Sequence, residues 1–431
     1  IIIGTIVLSL PIATSTGERL SLTDSLFTAT SATCVTGLTV MDTGRSFSSF
    51  GKWVIFILFQ AGGLGIMTFS TLFAVMLGRK IRFQETDVIK STLDKHNILG
   101  LKKLITYILS ITLIVEVIGA LSLFLRWRTI TDWNLPVLIE RSVFHSVSAF
   151  CNAGFSLFQT SLEQFRVDPY INITMMSLII VGGIGFIVIM DIMGLFIKKA
   201  PPRKLSVHSK IVLTMSGVLI VAGAIFLLVF EKDSLMKMMT WPEKIYAGLF
   251  QSVTARTAGF NTLNIGKLTT PSMVIIMFLM FIGASPGSTG GGIKTCTFAV
   301  IAATVLAMLK SQKRVKMFGR SIPKQIIRES LVIFFLAASW IFIVTIILTY
   351  FGGNFTSKEG SLTKALFEVV SAFGTVGLST GITEGLSDIG KICISMTMFA
   401  GRVGTLTLAL AIAFKERKDK YIYPEENVMV G

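Results

Sequence analysis

The sequence predicts an all-α, polytopic membrane protein in which four parallel, fused repeats surround one pore with fourfold pseudosymmetry. Three observations predict this fold: a strongly apolar composition, a glycine-ended segment that occurs four times, and basic residues that follow apolar stretches. Of the 431 residues, 52% are hydrophobic and only 15% are charged. Such a composition is typical of a chain with many membrane-spanning helices rather than of a soluble domain of this length.

Four short segments of the chain resemble one another. Each begins with serine or threonine followed by alanine and contains one glycine near its end. The glycines are about 105 to 118 residues apart, a spacing that indicates internal repeats of one structural unit. We call these stretches filter segments 1 to 4; they are residues 31–38, 148–155, 254–260 and 371–378.

Each predicted repeat contains an apolar span, a polar loop, a short amphipathic helix, a filter segment and a second apolar span. The short helix cannot cross ~30 Å of hydrocarbon at about 1.5 Å per residue, so we expect it to be a re-entrant pore helix. Eight transmembrane helices and four pore helices follow. The predicted boundaries are 1–80 (repeat 1, first span truncated because Ile1 opens inside an apolar run), 81–200 (repeat 2), 201–320 (repeat 3), 321–414 (repeat 4) and 415–431 (cytoplasmic C-terminal tail).

Basic residues cluster directly after the second span of each predicted repeat. This distribution places those loops in the cytoplasm and the chain in the cell membrane. It also accounts for the net charge of +16, so no nucleic-acid partner is expected. Both spans of each repeat then have their outer ends on one side, and the repeats are parallel rather than inverted. The clusters are Arg79, Lys80 and Arg82; Lys198, Lys199, Arg203 and Lys204; Lys310, Lys313, Arg314, Lys316 and Arg320; Lys415, Arg417, Lys418 and Lys420.

The glycine of each filter segment suits a pore lined by backbone carbonyls. Carbonyl oxygens replace the water around a cation only where the backbone adopts dihedral angles that glycine accepts without strain. One glycine after a short helix would be an ordinary helix cap, but four copies in the same context favour a pore. Segment 4 contains Thr375-Val376-Gly377, the start of a potassium-channel filter. The predicted K⁺-binding filter residues are Cys34, Val35, Thr36, Gly37, Cys151, Asn152, Ala153, Gly154, Arg256, Thr257, Ala258, Gly259, Gly374, Thr375, Val376 and Gly377.

None of the four segments has the second glycine of a full potassium-channel filter. Leu38, Phe155, Asn261 and Ser379 stand at or near that position. Fewer well-aimed carbonyl rings should discriminate less strictly among alkali cations. We therefore predict weaker exclusion of Na⁺ than in a strict potassium channel.

The second span of repeat 3 is interrupted by residues that break helices. Proline and consecutive glycines leave backbone groups unpaired, which is tolerated at membrane depth only beside protein or water. We predict an intramembrane gating loop, 283–294, below the filter. The stretch is not a phosphate-binding loop, because Ile293 separates Gly292 from Lys294 and no strand precedes it. The predicted gate residues are Ser285, Pro286, Gly287, Ser288, Thr289, Gly290, Gly291, Gly292 and Arg402.

Two arginines lie in apolar surroundings. Arg402, in the second span of repeat 4, is predicted to face the ion path, where its charge would oppose a cation leaving the filter. The alternative is a structural ion pair with Asp191, Glu116 or Glu368. Arg256, in filter segment 3, is expected to restrain its pore helix through Glu368 or through a backbone carbonyl.

Glycine pairs also occur in the second spans of repeats 1 and 2, at Gly62-Gly63 and Gly182-Gly183. Small residues let helices approach closely, so we expect these pairs to serve helix packing. The apolar run that contains the second pair, from about Ile171 to Ile197, predicts one membrane span.

Together, the four filter segments, the Ser285–Lys294 interruption and Arg402 resemble the ion-translocating subunit of the Trk/Ktr/HKT superfamily of potassium transporters, most of all its bacterial KtrB branch. The resemblance covers essentially the whole chain. It implies K⁺ uptake by a homodimer with one pore per subunit. It also implies a cytosolic, nucleotide-binding regulatory ring like KtrA on the basic cytoplasmic face. Nucleotide would bind that partner, since this chain shows no nucleotide motif. Sodium dependence occurs in the superfamily. The TrkH branch, whose members have extra N-terminal spans, remains a possible assignment beside the KtrB branch.

Two other classes of function are weaker interpretations of this sequence. An alternating-access carrier for another monovalent cation would need inverted repeats and a central pocket with ionisable ligands. An enzyme would need a nucleophile or a metal cluster, and His96, His145 and His208 are far apart in the sequence. The four cysteines show no metal-ligand spacing. We therefore predict a protein that is not an enzyme, with K⁺ as the transported ion.

Overall fold

The computed structural model describes residues 1–76, 98–196, 205–353 and 360–404, excluding the side chains of 66–76, 98–104 and 196. In this part of the chain helices dominate, and two short strands form one hairpin. Of the four predicted basic clusters, only Lys310 to Arg320 is described. The other three clusters, the boundaries near residues 80 and 200, and the predicted tail 415–431 lie outside the described residues.

The part predicted as repeat 1 leads from a short helix into a buried pore helix. The Ser21 hydroxyl caps the pore helix by accepting a hydrogen bond from the Asp24 amide at 3.0 Å. A long apolar helix follows filter segment 1 and runs without a break through Gly62 and Gly63. The helices are α1 (Ile2–Leu8), α2 (Leu22–Thr33), α3 (Thr43–Ser46) and α4 (Ser49–Met76).

The part predicted as repeat 2 has the same order, but its second apolar stretch is bent. The Asn134 side chain caps the pore helix at the Val137 amide. The predicted span over residues 171–197 consists of two helices that meet at 101°. The chain turns at Gly185, whose φ of 90° is one that residues with a Cβ rarely adopt. The helices are α5 (Ile98–Ile130), α6 (Leu135–Phe150), α7 (Pro169–Ile184) and α8 (Phe186–Phe196).

The part predicted as repeat 3 contains the helix break that its proline and glycines predict. The chain between the two halves of the second apolar stretch is not helical, and its two ends are joined by a parallel bridge between Ile282 and Ile293. The helices are α9 (Val207–Glu231), α10 (Trp241–Thr254), α11 (Thr270–Phe281) and α12 (Thr295–Leu309); the hairpin strands β1 (Lys316–Met317) and β2 (Arg320–Ser321) follow.

The part predicted as repeat 4 packs against the start of the chain. The Lys391 ammonium lies 2.6 Å from the Asp24 carboxylate, and the Thr23 hydroxyl donates to Asp388 at 2.8 Å. These contacts make the first and last parts of the chain neighbours. The helices are α13 (Lys324–Phe351), α14 (Ser361–Gly374) and α15 (Asp388–Val403).

The four pore helices share one packing feature, a buried phenylalanine in their middle. These side chains are Phe27, Phe144, Phe250 and Phe367, each at most 4% exposed. Burial of large aromatic rings at matched positions holds the pore helices in the centre of the molecule.

The outer helices suit a lipid environment. Among the described residues, three helices are long and apolar enough to cross a membrane, and the bent pair of α7 and α8 makes a fourth if it counts as one span. Aliphatic side chains are exposed along these helices, for example Leu113, Val221 and Ile343. The chain is a multi-pass, mostly helical membrane protein, whereas the eight spans and the fourfold repeat stay predictions.

Candidate functional site

The glycines of the four filter segments lie beside one another in cyclic order. A Cβ placed on Gly37 would lie under 3.0 Å from a backbone atom of segment 2, and one on Gly154 would lie equally close to segment 3. Gly259 has the same relation to segment 4, and Gly377 closes the circle on segment 1. In each case the nearest atom is the carbonyl oxygen that precedes the next glycine; these oxygens belong to Ala153, Ala258, Val376 and Thr36. Only glycine fits where the four backbones approach so closely.

The four segments share an unusual backbone conformation. The glycine has a positive φ in every segment, between 71° and 92°, and so does the residue two positions before it. Three of those earlier residues are β-branched, and such residues rarely adopt left-handed angles. Backbone strain of this kind is concentrated at functional sites. The left-handed residues are Val35, Asn152, Thr257 and Thr375, with φ of 57°, 57°, 76° and 49°.

The first residue of each segment braces the loop that follows it. The Ser31 and Ser371 hydroxyls each accept a hydrogen bond from the amide of the segment's glycine at 3.1 Å. The Ser148 and Thr254 hydroxyls instead donate to the carbonyl one residue beyond the glycine, at 2.8 and 2.5 Å. This bracing role was not predicted from the sequence, although serine or threonine stands at the first position of all four segments.

The pore helices aim their carboxyl ends at the glycine ring. Helices α2, α6 and α10 end immediately before or within the start of their segments, and α14 ends at Gly374, within segment 4. The carboxyl end of a helix carries partial negative charge from its unpaired carbonyls. Four such ends around one ring make the ring a favourable place for a cation.

The loop between α11 and α12 lies directly against filter segments 3 and 4. The Gly291 amide donates to the Thr375 hydroxyl at 2.9 Å. A Cβ on Gly290 would collide with the side chain of Thr257, so this glycine permits the contact with segment 3. Thr257 is in turn 3.2 Å from the side-chain amide of Asn152, which connects segments 2 and 3.

The same loop is hydrogen-bonded to the helices that follow filter segments 2 and 4. The Ser285 and Thr289 amides donate to the carbonyls of Gly183 and Gly182 in α7, at 3.1 and 3.3 Å. The Gly292 amide donates to the Gly401 carbonyl in α15 at 3.2 Å. The unpaired backbone of the interruption is thus satisfied by neighbouring protein, as burial at membrane depth requires.

The bend between α7 and α8 is also part of this contact. The Phe186 amide donates to the Gly287 carbonyl at 3.1 Å, and a Cβ on Gly185 would lie 2.6 Å from the Pro286 carbonyl oxygen. The first residue of helix α8 is therefore hydrogen-bonded to the loop.

The glycines of the second helices pack against the ends of the pore helices. A Cβ on Gly62, Gly182 or Gly401 would overlap a carbonyl oxygen of Thr33, Phe150 or Phe373, respectively. This geometry agrees with the packing role predicted for Gly62 and Gly182, since only a residue without a side chain allows so close an approach.

Arg402 connects the loop with two other helices. Its guanidinium donates to the Thr289 carbonyl of the loop and, at 2.8 Å, to the Gly62 carbonyl of α4. The residue is only 5% exposed. Within the described ranges none of the three carboxylates considered as ion-pair partners contacts it: Asp191 accepts from two serines, Glu116 from Gln60, and Glu368 from Ser379 and Thr383.

The side chain of Arg256 contacts α9 and the start of the loop. Its guanidinium lies 3.5 Å from the carbonyls of Ser216 in α9 and Gly283 at the start of the loop. Of the two predicted anchors, the structure contains the backbone carbonyl; in the described part of the chain no contact with Glu368 is found. Lys294, which the sequence analysis left without a role, donates to the Gly290 carbonyl at 2.7 Å and so ties the loop to its own end.

A polar contact outside the membrane-spanning helices supports the outer side of filter segment 3. The Asn261 amide nitrogen donates to the Glu163 carboxylate at 2.9 Å, and the Leu162 amide donates to the Asn261 carbonyl at 3.0 Å. Partial burial raises the pKa of Glu163, although the hydrogen bond from Asn261 and the nearby cations oppose this shift. Among the described residues no group of three or more His, Cys, Asp or Glu could hold a metal ion.

Comparisons with known proteins agree with this architecture. The family model described as "TrkH: Cation transport protein" matches residues 3–423. The potassium/sodium uptake protein NtpJ of Enterococcus hirae is 37% identical over 100% of this chain and 94% of its own length. The Ktr system potassium uptake proteins B of Bacillus subtilis and Vibrio alginolyticus are 39% and 37% identical, over 100% and 99% of this chain and 94% and 91% of their own lengths.

A solved structure has the same fold. The crystal structure of the potassium transporter TrkH from Vibrio parahaemolyticus matches with a TM-score of 0.72, covering 92% of this chain and 79% of that chain. At 18% sequence identity, this likeness concerns the fold alone.

Proposed function

We propose that this chain, which belongs to the TrkH family of cation transport proteins, takes up K⁺ across the cell membrane through a channel-like pore. The resemblance expected from the sequence is confirmed, and the family consists of transporters rather than enzymes. The observation that carries the proposal is the cyclic contact of Gly37, Gly154, Gly259 and Gly377. A fourfold ring of backbone is the arrangement that a carbonyl-lined cation filter requires.

In the proposed filter, K⁺ exchanges its water for the carbonyl oxygens of the four segments. The left-handed residues and the glycines set the direction of the peptide groups, and the helix ends add negative potential. We expect the filter to favour K⁺ less strictly than a potassium channel does, because the second glycine of such channels is absent. The relatives are named for potassium uptake and for potassium/sodium uptake, so the transport of both K⁺ and Na⁺ should be measured.

The proposed gate is the loop from Ser285 to Gly292 together with Arg402. The loop touches filter segments 3 and 4 through Gly290 and Gly291, and Arg402 links it to α4. Such a loop blocks the path for a cation leaving the filter, and the arginine adds electrostatic repulsion. Conduction then requires that the loop leave its hydrogen bonds to α7 and α15.

Regulation is proposed to come from outside this chain. Relatives are named as parts of a Ktr system, and we infer a homodimer whose basic cytoplasmic face binds a nucleotide-binding regulatory ring. The hairpin of β1 and β2, with the exposed side chains of Lys313, Arg314, Lys316 and Arg320, is the described part of that face. Its charge suits an acidic partner surface.

The gate is tested by uptake of K⁺, with Na⁺ as competitor, into proteoliposomes that hold the intact chain or a variant lacking residues Ser285 to Gly292. We expect faster K⁺ flux from the deletion variant with the ion preference retained, because the filter does not include the loop. Unchanged K⁺ flux in the deletion variant would reject the proposed gate, but the proposed filter would stand. Absence of K⁺ flux from the intact chain would reject the pore and favour an alternating-access carrier.

A further inference from the structure

A buried carboxylic acid lies close to the filter without belonging to the glycine ring or to the gate. Glu116 stands within α5, a helix long and apolar enough to span a membrane, and is 5% exposed. An acid at this depth is costly unless its oxygens are hydrogen-bonded, and such acids commonly have a function. Its surroundings therefore need an explanation.

Glu116 is connected to filter segment 2 by two successive side-chain hydrogen bonds through Gln60 and by a longer direct contact, 3.9 Å from its Oε1 to Cys151 Sγ. The Gln60 Nε2 of α4 lies 3.1 Å from both carboxylate oxygens of Glu116. The Cys151 thiol donates to Gln60 Oε1 at 3.1 Å. Because a carboxylate can only accept, it sets the orientation of the Gln60 amide, with nitrogen toward Glu116 and oxygen toward Cys151.

The last member of this chain of contacts is a filter residue. Cys151 directly follows α6 and precedes Asn152, the left-handed residue of segment 2. The pore helix is attached to the main chain of the same residue, since the Ser146 hydroxyl donates to the backbone carbonyl of Glu116 at 2.7 Å. Glu116 thus holds both the pore helix and the first part of the filter segment that it supports.

We propose that Glu116 is a positioning residue for ion specificity, which through Gln60 holds Cys151 and filter segment 2 at the spacing that favours K⁺ over Na⁺. The proposal rests on the proposed function and deepens it. The residues that match Cys151 in the other segments are Cys34, Arg256 and Gly374. Arg256 and Gly374 have no thiol, so segments 3 and 4 cannot make this contact, and the link from an acid through a glutamine to a filter thiol is described for segment 2.

The proposal predicts the behaviour of three variants. Glu116→Gln can donate to Gln60, so that the Gln60 amide can turn and deprive the Cys151 thiol of its acceptor. Cys151→Ala removes the thiol donor directly. The double variant Gln60→Glu with Glu116→Gln exchanges the two groups and again offers Cys151 an acceptor, so it should restore the orientation.

The test measures KM for K⁺, the maximal rate and the K⁺/Na⁺ flux ratio of the full chain in proteoliposomes. We expect the flux ratio to fall about fivefold in Glu116→Gln and in Cys151→Ala, the scale of one lost hydrogen bond between uncharged groups. KM for K⁺ should rise while the maximal rate changes little. Combining the two substitutions should add nothing, and the exchange variant should recover most of the ratio.

Two matched controls separate this role from a general loss of structure. Glu231→Gln alters another fully buried acid, which accepts from Thr269 at the start of α11, and Cys393→Ala removes a partly buried thiol of α15. Both should leave the flux ratio unchanged. An unchanged flux ratio in Glu116→Gln and Cys151→Ala, or an exchange variant that does not recover the ratio, would overturn this proposal. K⁺ uptake by the intact chain would still support the proposed function.

Discussion

Single hydroxyl groups determine how each filter segment is held at the end of its pore helix. The Ser31 and Ser371 side chains accept from the glycine amides, and Ser148 and Thr254 donate to carbonyls just beyond the glycines. A hydroxyl contact of this kind recurs in all four segments. They keep the backbone in left-handed angles that β-branched residues such as Thr375 would otherwise avoid.

Replacing Ser371 by alanine should weaken K⁺ binding. The half-buried Gly377 amide would lose its acceptor, which costs about 1–2 kcal/mol, the lower part of the range for an unpaired buried amide. We expect KM for K⁺ to rise about tenfold, measured by uptake into proteoliposomes. Ser395→Ala is the matched control, because that buried hydroxyl of α15 has no hydrogen-bond partner in the described part of the protein. Equal KM values for the two variants would contradict the bracing role.

The residue types in the sequence show where these side chains act more clearly than they show which groups the side chains bind. Serine or threonine at one position of four segments is visible without a structure, and so are the buried arginines. Their acceptors are not visible, because a guanidinium can donate either to a carboxylate or to a backbone carbonyl. Three ion pairs were open for Arg402, yet its observed acceptors are the carbonyls of Thr289 and Gly62, which tertiary packing brings together.

At the scale of elements, similar sequences give different helices. Gly62-Gly63-Leu64-Gly65 lies within the continuous helix α4, whereas Gly182-Gly183-Ile184-Gly185 ends α7. The difference arises from the loop of residues 282–294, whose Gly287 carbonyl takes the Phe186 amide and whose Pro286 packs on Gly185. Local sequence therefore predicted the interruption between α11 and α12, where proline and glycines stand, but did not predict the bend that this loop stabilises in another helix.

Replacing Arg402 by glutamine should loosen the loop. The shorter amide cannot reach both carbonyls, and the charge that opposes a cation is removed. We expect K⁺ flux into proteoliposomes without a regulatory partner to rise at least about fivefold. Arg328→Gln, an exposed position on α13, should leave the flux unchanged. A flux that stays constant or falls in the Arg402 variant would argue against a gate at this place.

At the scale of the whole molecule, the first and last parts of the chain meet without a covalent connection. The Lys391–Asp24 pair, with side chains 14% and 15% exposed, joins α15 to α2 and helps to close the circle of segments. The segment that occurs four times in the sequence predicts four repeats around one pore. It does not identify this contact, because the charges that close a circle are 367 positions apart and carry no local pattern.

Removing that ion pair should make the closed arrangement less stable. Asp24→Asn breaks it, and we expect Tm in detergent to fall by about 2 °C, since a partly buried pair contributes on the order of 1 kcal/mol. Asp233→Asn, which affects the exposed pair with Lys232, should leave Tm unchanged. Restoration of Tm by the charge exchange of Asp24→Lys with Lys391→Asp would support the assignment, and equal Tm values for Asp24→Asn and Asp233→Asn would contradict it.

The central claim is that four segments form one K⁺ filter. The most direct measurement is the K⁺/Na⁺ flux ratio in proteoliposomes for four single variants, in which alanine replaces Gly37, Gly154, Gly259 or Gly377, with Gly385→Ala as the control because a Cβ there meets open space. The ring geometry predicts that each of the four lowers the ratio strongly, since each Cβ would strike the carbonyl of the neighbouring segment, and that the control retains it. An unchanged ratio in any one of the four variants would contradict a single filter built from all four segments.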